Sequence, residues 1–222
     1  MGKEYTRSFS VLGSSPVYGN QNILEDFTIT PYFIATGTGT SFSYHRSISY
    51  PFSCRPSYYI ATRSATPAED DYVSIIDRIY ISKSPFFRLQ LAFLTPDVSD
   101  LKYICFYPLW YEGATLYTAS IRYDVANSKW QYLDTADNWQ DITDGAALMY
   151  DLSWNFIDFS VDLANHTFIS LVHDNIFCDM SGIPLKSVAL AVGTLLELQI
   201  RIITSGAAMG ELYLAPILIT NS

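Results

Sequence analysis

Read as polar and apolar positions, the chain is a succession of runs of roughly five to ten β-prone residues, each ended by Gly, Pro, Asn, Asp or Ser. In 156-FIDFSVDLANHTFISLVHDN-175, Ile157, Phe159, Val161 and Leu163 fall on one face and Asp158, Ser160 and Asp162 on the other, because strand side chains alternate. The spacing predicts a half-buried strand. After a polar turn at Ala164, Asn165 and His166, the return run sets Ile169 and Leu171 against Phe168, Ser170 and Val172, which makes a hairpin. In 197-ELQIRIITS-205, Glu197, Gln199 and Arg201 point outward, Leu198, Ile200 and Ile202 inward, and Gly206 breaks the run.

Further strands are expected over 27–35, 42–49, 57–62, 73–81, 86–94, 103–110, 116–124 and 129–132, about a dozen in all with the later ones. The segment 124-DVANSK-129 reads as a second hairpin connection. Pro216 stands inside the apolar run 210–220, and its missing N–H fits an edge strand or a bulge. Two stretches resist a strand reading. The acids and small residues of 133–155 suggest a loop or short helical turn, with 146–150 the best helical candidate, and in 179–195 Gly182 and Pro184 mark a turn before a short apolar run.

No repeat of fixed period occurs, so propellers and solenoids are excluded. The expected fold is all-β: a two-sheet antiparallel sandwich of the jelly-roll kind, with a closed β-barrel as the alternative. Residues 1–20 read as an N-terminal segment ahead of one domain over 21–222.

Composition sharpens this picture. Hydrophobic residues make up 49% and charged residues 16%, so a sizeable core can be buried. Only 6 Glu and 5 Lys are present, which starves long amphipathic helices of their usual material. A formal charge of −9 without any Lys/Arg run excludes nucleic acid as a partner and disfavours anionic membrane surfaces. No apolar stretch is long enough to span a bilayer, and the opening residues lack the apolar region of a secretory signal. A processed precursor would leave the same sequence, so localisation stays open. Cys54, Cys105 and Cys178 are far apart and odd in number; buried free thiols are the preferred reading, one disulfide plus a spare thiol the extracellular alternative.

The order 121-IRYDVANSKWQYLD-134, 157-IDFSVDLANHTFISLVHDNIFCDMSGIPL-185 and 197-ELQIRIITSGAAMGELYLAPILIT-220 resembles the concanavalin A-like, laminin G-like jelly rolls. The resemblance covers the last hundred residues or so in order of elements. It implies a curved sheet, a hairpin and a closing strand pair. Domains of this kind serve as sugar-binding modules, glycan hydrolases and protein-interaction modules, so the resemblance does not select among those roles.

Retaining glucanases of that fold place Glu, Asp and Glu on alternate positions of one strand, because nucleophile and acid must flank one glycosidic bond. Here Glu4, Glu25, Glu69, Glu112, Glu197 and Glu211 are scattered, so no catalytic residue is assigned. Asp158 and Asp162 share a face at about 13 Å of strand rise and read as solvated. His166 and His173 read as satisfied surface histidines. The one metal expectation is a structural calcium ion at Asp134, Asp137 and Asp141.

Aromatic residues carry the strongest remaining signal, since flat sugar faces stack on Trp and Tyr. Trp110, Tyr111, Trp130, Trp139 and Trp154 are the candidate ligand-binding residues, with Trp110 and Trp139 expected to be the most exposed and core packing as the competing role. The expected function is a non-catalytic carbohydrate-binding module. A structural or protein-interaction domain, with a protein ligand, is the alternative, and a glycoside hydrolase or lyase with an unrecognised site comes third.

Overall fold

Phe87, Leu89, Leu91 and Phe93 alternate with more polar neighbours, and that period of two turns one face of their strand into an apolar stripe. The same pattern recurs through a computed structural model that describes residues 21–25, 34–38, 42–47, 57–62, 68–79, 85–190, 196–215 and 217–221. The first strands are β1 (Gln21–Glu25), β2 (Ile34–Gly37), β3 (Phe42–Ser47), β4 (Ser57–Thr62) and β5 (Tyr72–Ile79). β6 (Phe86–Leu94), β7 (Leu101–Glu112), β8 (Thr115–Thr118), β9 (Ile121–Asp124), β10 (Lys129–Leu133) and β11 (Trp139–Ala146) follow. The rest are β12 (Asn155–Asp162), β13 (Thr167–His173), β14 (Ile176–Asp179), β15 (Lys186–Ala189), β16 (Leu196–Thr204), β17 (Glu211–Leu214) and β18 (Ile217–Asn221). Among the described residues the only helical turn is Val98–Asp100.

These strands form two antiparallel sheets of nine strands each. The β6 sheet runs β14-β13-β12-β6-β17-β4-β3, with β18 also on β6 and β1 on β18. The β7 sheet runs β11-β10-β9-β7-β16-β5-β2, with β8 also on β7 and β15 on β8. Both sheets stay open at their edges, so the fold is a sandwich and not the alternative closed barrel.

Apolar faces meet between the sheets. Phe93 packs on Phe106 at 5.8 Å, Phe87 on Trp110 at 6.2 Å, and Phe168 on Tyr132 at 5.7 Å, so β6 lies over β7 and β13 over β10. Ile157, Phe159 and Val161 join them from β12, as do Leu198, Ile200 and Ile202 from β16. Each such side chain contributes about 1.5–3 kcal/mol when fully buried.

Both hairpins expected from the sequence are present. His166 takes φ 53° at the β12–β13 turn, where the Asp162 carboxylate accepts the Ala164 and Asn165 N–H groups. At the β9–β10 turn, Asp124 accepts from the Asn127 backbone and amide.

Two expectations need correction. Over 139–146 the chain is a strand, β11, and no helix follows it at 147–150. β11 escapes notice because it lies at a sheet edge, buries only Ile142 and Gly145, and its register on β10 shifts between Lys129 and Gln131. Asp158 is not solvated. It accepts from Arg88 Nε at 2.7 Å and Gln90 Nε2 at 2.8 Å on the outer face of the β6 sheet, and Arg88 Nη2 completes the pair.

At 210–220 the alternatives of edge strand and bulge resolve to the bulge, because the run lies in the middle of its sheet. β17 pairs Leu214 with Phe93 whereas β18 pairs Leu218 with Gln90. One extra residue is therefore accommodated between them, the bulge the sequence left open. Pro216 itself lies outside the described residues, as do 1–20, 27–33 and Cys54.

Candidate functional site

In 103-YICFYPLWY-111 every second residue of β7 faces the core: Ile104, Phe106, Pro108 and Trp110 are buried. Tyr103, Cys105, Tyr107, Leu109 and Tyr111 therefore share the outer face of the sheet. The neighbouring strands bring polar residues alongside. Register sets one row straight across six strands: Asp141 on β11, Gln131 on β10, Arg122 on β9, Cys105 on β7, Arg201 on β16 and Ser74 on β5.

Two guanidinium groups organise this face. Arg122 lies 3.9 Å from the Tyr103 ring centroid and 4.3 Å from that of Trp139, so aromatic rings flank it. Arg201 lies 4.4 Å from Tyr72 and 5.3 Å from Tyr107. Tyr107 in turn meets Trp139 edge-on at 6.4 Å. These spacings fall within the cation–π range.

Hydrogen bonds fix the rest of the row. Arg122 Nε donates to Gln131 Oε1 at 2.8 Å, Gln131 Nε2 donates to Asp141 Oδ1 at 2.8 Å, and Lys129 Nζ donates to Asp141 Oδ2 at 2.9 Å. The Gln131 amide, and then the Lys129 ammonium, hold the Asp141 carboxyl below its usual range. On the other side Gln199 Nε2 donates to Ser74 Oγ at 2.6 Å.

Beneath the rings, Cys105 is buried and its thiol is pushed up to about 11 by desolvation. Burial, with Cys105 adding to it, also raises the Tyr107 hydroxyl far above its ordinary value, so that phenol stays a hydrogen-bond donor at all ordinary pH. The row holds one carboxylate, Asp141. In the adjacent row Asp124 is turned to Asn127.

The five aromatic candidates are divided by the sheet. Trp130 is 0% exposed and Trp110 is 5% exposed, both between the layers, so Trp110 is not the exposed residue expected. Trp139 and Tyr111 are half-buried on the outer face, and Trp154 is half-buried in the segment before β12.

Asp134, Asp137 and Asp141 do not converge. Asp134 accepts from the Asn138 and Ala136 N–H groups and the Gln140 amide, Asp137 meets Lys186, and Asp141 serves the row above. Among the described residues no three metal-ligating side chains come together. Of the two histidines, His173 departs from expectation: it is 1% exposed, packed edge-on against Trp130 at 5.7 Å. Sequence reading missed Arg122, Arg201, Tyr103 and Tyr72. The available signal was a cation at an outward position of an alternating strand in a chain poor in cations.

The fold is that of the concanavalin A-like jelly-roll sandwiches, and the solved structures it resembles agree. Lectin I from Ulex europaeus, solved with the methyl glycoside of α-L-fucose, superposes at TM-score 0.56 with 10% identity, covering 91% of this chain and 98% of that one. The cellulose-induced protein Cip1 superposes at TM-score 0.55 with 6% identity, covering 89% and 96%. A structure of carbohydrate-binding modules from the β-sandwich superfamily aligns at TM-score 0.45 and 11% identity over 82% of this chain, which spans 54% of that structure. No protein-family model matches the sequence, and no curated protein matches it.

Proposed function

We propose that the outer face of the β7 sheet is a carbohydrate-binding surface and that the domain binds its ligand without cleaving it. The observation that carries this reading is the juxtaposition of Tyr103, Tyr107 and Trp139 with Arg122, Gln131 and Asp141 on one sheet face. Rings supply flat apolar surface for a pyranose face, and the amide, guanidinium and carboxylate supply donors and acceptors for its hydroxyls. The solved lectin of the same fold, complexed with a fucoside, supports the reading by likeness of architecture.

Cleavage by the paired-carboxylate route needs two carboxyl groups about 5–10 Å apart across one bond. The central row offers Asp141 alone, and both its oxygens are already engaged. Affinity gel electrophoresis against neutral and acidic polysaccharides tests the proposal. Retardation by at least one polymer, weakened by Trp139→Ala, is expected; free migration through every gel overturns it.

A further inference from the structure

Elsewhere among the described residues, four cationic side chains are paired with carboxylates. Arg88 meets Asp158, Lys102 meets Glu69 and Asp70, Lys129 meets Asp141, and Lys186 meets Asp137. Arg122 and Arg201 meet none among the described residues, although acidic residues outnumber basic ones by 22 to 13. Both exceptions stand in the same row of the same sheet face.

Their surroundings are equally unusual. Arg201 Nε is buried with no hydrogen-bond partner, and Arg122 directs only its Nε to a neutral amide. Rings lie against both guanidinium groups, which strips water from the flat faces and leaves the N–H edges as the polar part. A guanidinium edge matches a planar carboxylate with two parallel hydrogen bonds. Neutral hydroxyls use a single donor at a time and leave the positive charge uncompensated.

We infer that the ligand is an acidic polysaccharide, a chain of uronic acid residues whose carboxylates are taken by Arg122 and Arg201. This rests on carbohydrate binding at the same face. The two arginines are separated by two cross-strand steps through Cys105, about 10 Å between Cα atoms, a span suited to every second sugar unit of an extended chain. Trp139, Tyr103 and Tyr107 then stack on the ring faces between and beside the carboxylates. The net charge of −9 repels polyanions in general, so selection depends on this local pair and not on bulk attraction.

The test compares three gels with the wild-type protein: polygalacturonate, the same polymer with its carboxyl groups reduced to alcohols, and dextran sulfate. Retention on polygalacturonate is expected to exceed that on the reduced polymer at least tenfold and to weaken with added salt. Arg122→Gln and Arg201→Gln should each weaken polygalacturonate binding at least tenfold more than they weaken binding of the reduced polymer; Trp139→Ala should weaken both.

Equal retention on the reduced polymer overturns the uronate assignment and leaves carbohydrate binding intact. Retention on dextran sulfate as strong as on polygalacturonate overturns selection for carboxylate. Failure on these gels and on the full neutral panel overturns both readings. Because the three gels need no variant, a variant that fails to fold does not remove the test.

Discussion

The imidazole of His166 lies on the Tyr117 ring with centroids 3.8 Å apart and planes within 1° of parallel. His166 belongs to the β12–β13 turn of one sheet and Tyr117 to β8 of the other, so this stack ties the two layers together at one end of the sandwich. His166 Nε2 also meets Glu112 Oε2 at 3.0 Å, at the tip of the β7–β8 hairpin. Losing the stack and the hydrogen bond together is expected to cost about 1–2 kcal/mol. His166→Ala should therefore shift the urea midpoint downward with an unchanged slope.

His173 leads to a pH prediction. Burial among Trp130 and Tyr123 lowers its pKa from the ordinary 6.5, with the Asp174 charge opposing more weakly. The folded protein then prefers the neutral imidazole. Its contribution is complete above the unfolded value and is lost as pH falls below about 6.5, where the unfolded chain takes up the proton first. Thermal unfolding followed from pH 8 to pH 5 should show a falling Tm in the wild type and a flatter profile in His173→Phe.

The Arg88–Asp158 pair bridges neighbouring β6 and β12 on the outer face of the β6 sheet, and the hydrogen bond that Arg88 donates to Asp158 raises the Arg88 pKa. Asp158 is the less exposed partner, so Asp158→Asn leaves Arg88 and Gln90 with a poorer acceptor. A loss of about 1–2 kcal/mol is expected, well short of a fully buried pair because Arg88 is half open to solvent. Chemical denaturation of the variant checks it.

The thiols of Cys105 and Cys178 should be silent in the native state. Cys105 and Cys178 are free and buried, and desolvation raises both thiols. Thiolate, not thiol, reacts with disulfide and maleimide reagents. Neither residue should label at pH 8 until denaturant is added, as peptide mapping of the modified protein would show.

Trp139 should report ligand binding. Of the four tryptophans, Trp110 and Trp130 are sealed in the core while Trp139 lies on the outer face of the β7 sheet. Saturating a binding polysaccharide should quench or shift the emission of the wild type, and Trp139→Phe should abolish most of that change.

Elements that pack one face against the core were legible from the chain. β6, β12 and β16 alternate cleanly because one side meets apolar neighbours and the other meets water or polar partners. β11 was not, since an edge strand with two inward residues has no pattern to show. The aromatic run of β7 was legible as a strand but not in its facing. Phe106 and Trp110 point one way and Tyr103 and Tyr107 the other, and alternation alone fits both choices.

The arginine pair was out of reach for a different reason. Arg122 and Arg201 share a row only because β9 and β16 both flank β7, and strand order is set by non-local packing. His173 misled because a half-buried strand end looks like a surface position until the facing sheet is in place.

The order of strands also bears on how the molecule comes together in time. β5 reaches β7 only through β16, and β4 reaches β6 only through β17, so elements from the last part of the sequence are the middle seams of both sheets. Until residues 196–214 have emerged from the ribosome, the earlier strands can form local hairpins but not a continuous layer. Closing such long loops is slow, so both sheets consolidate only once these late seams are in place.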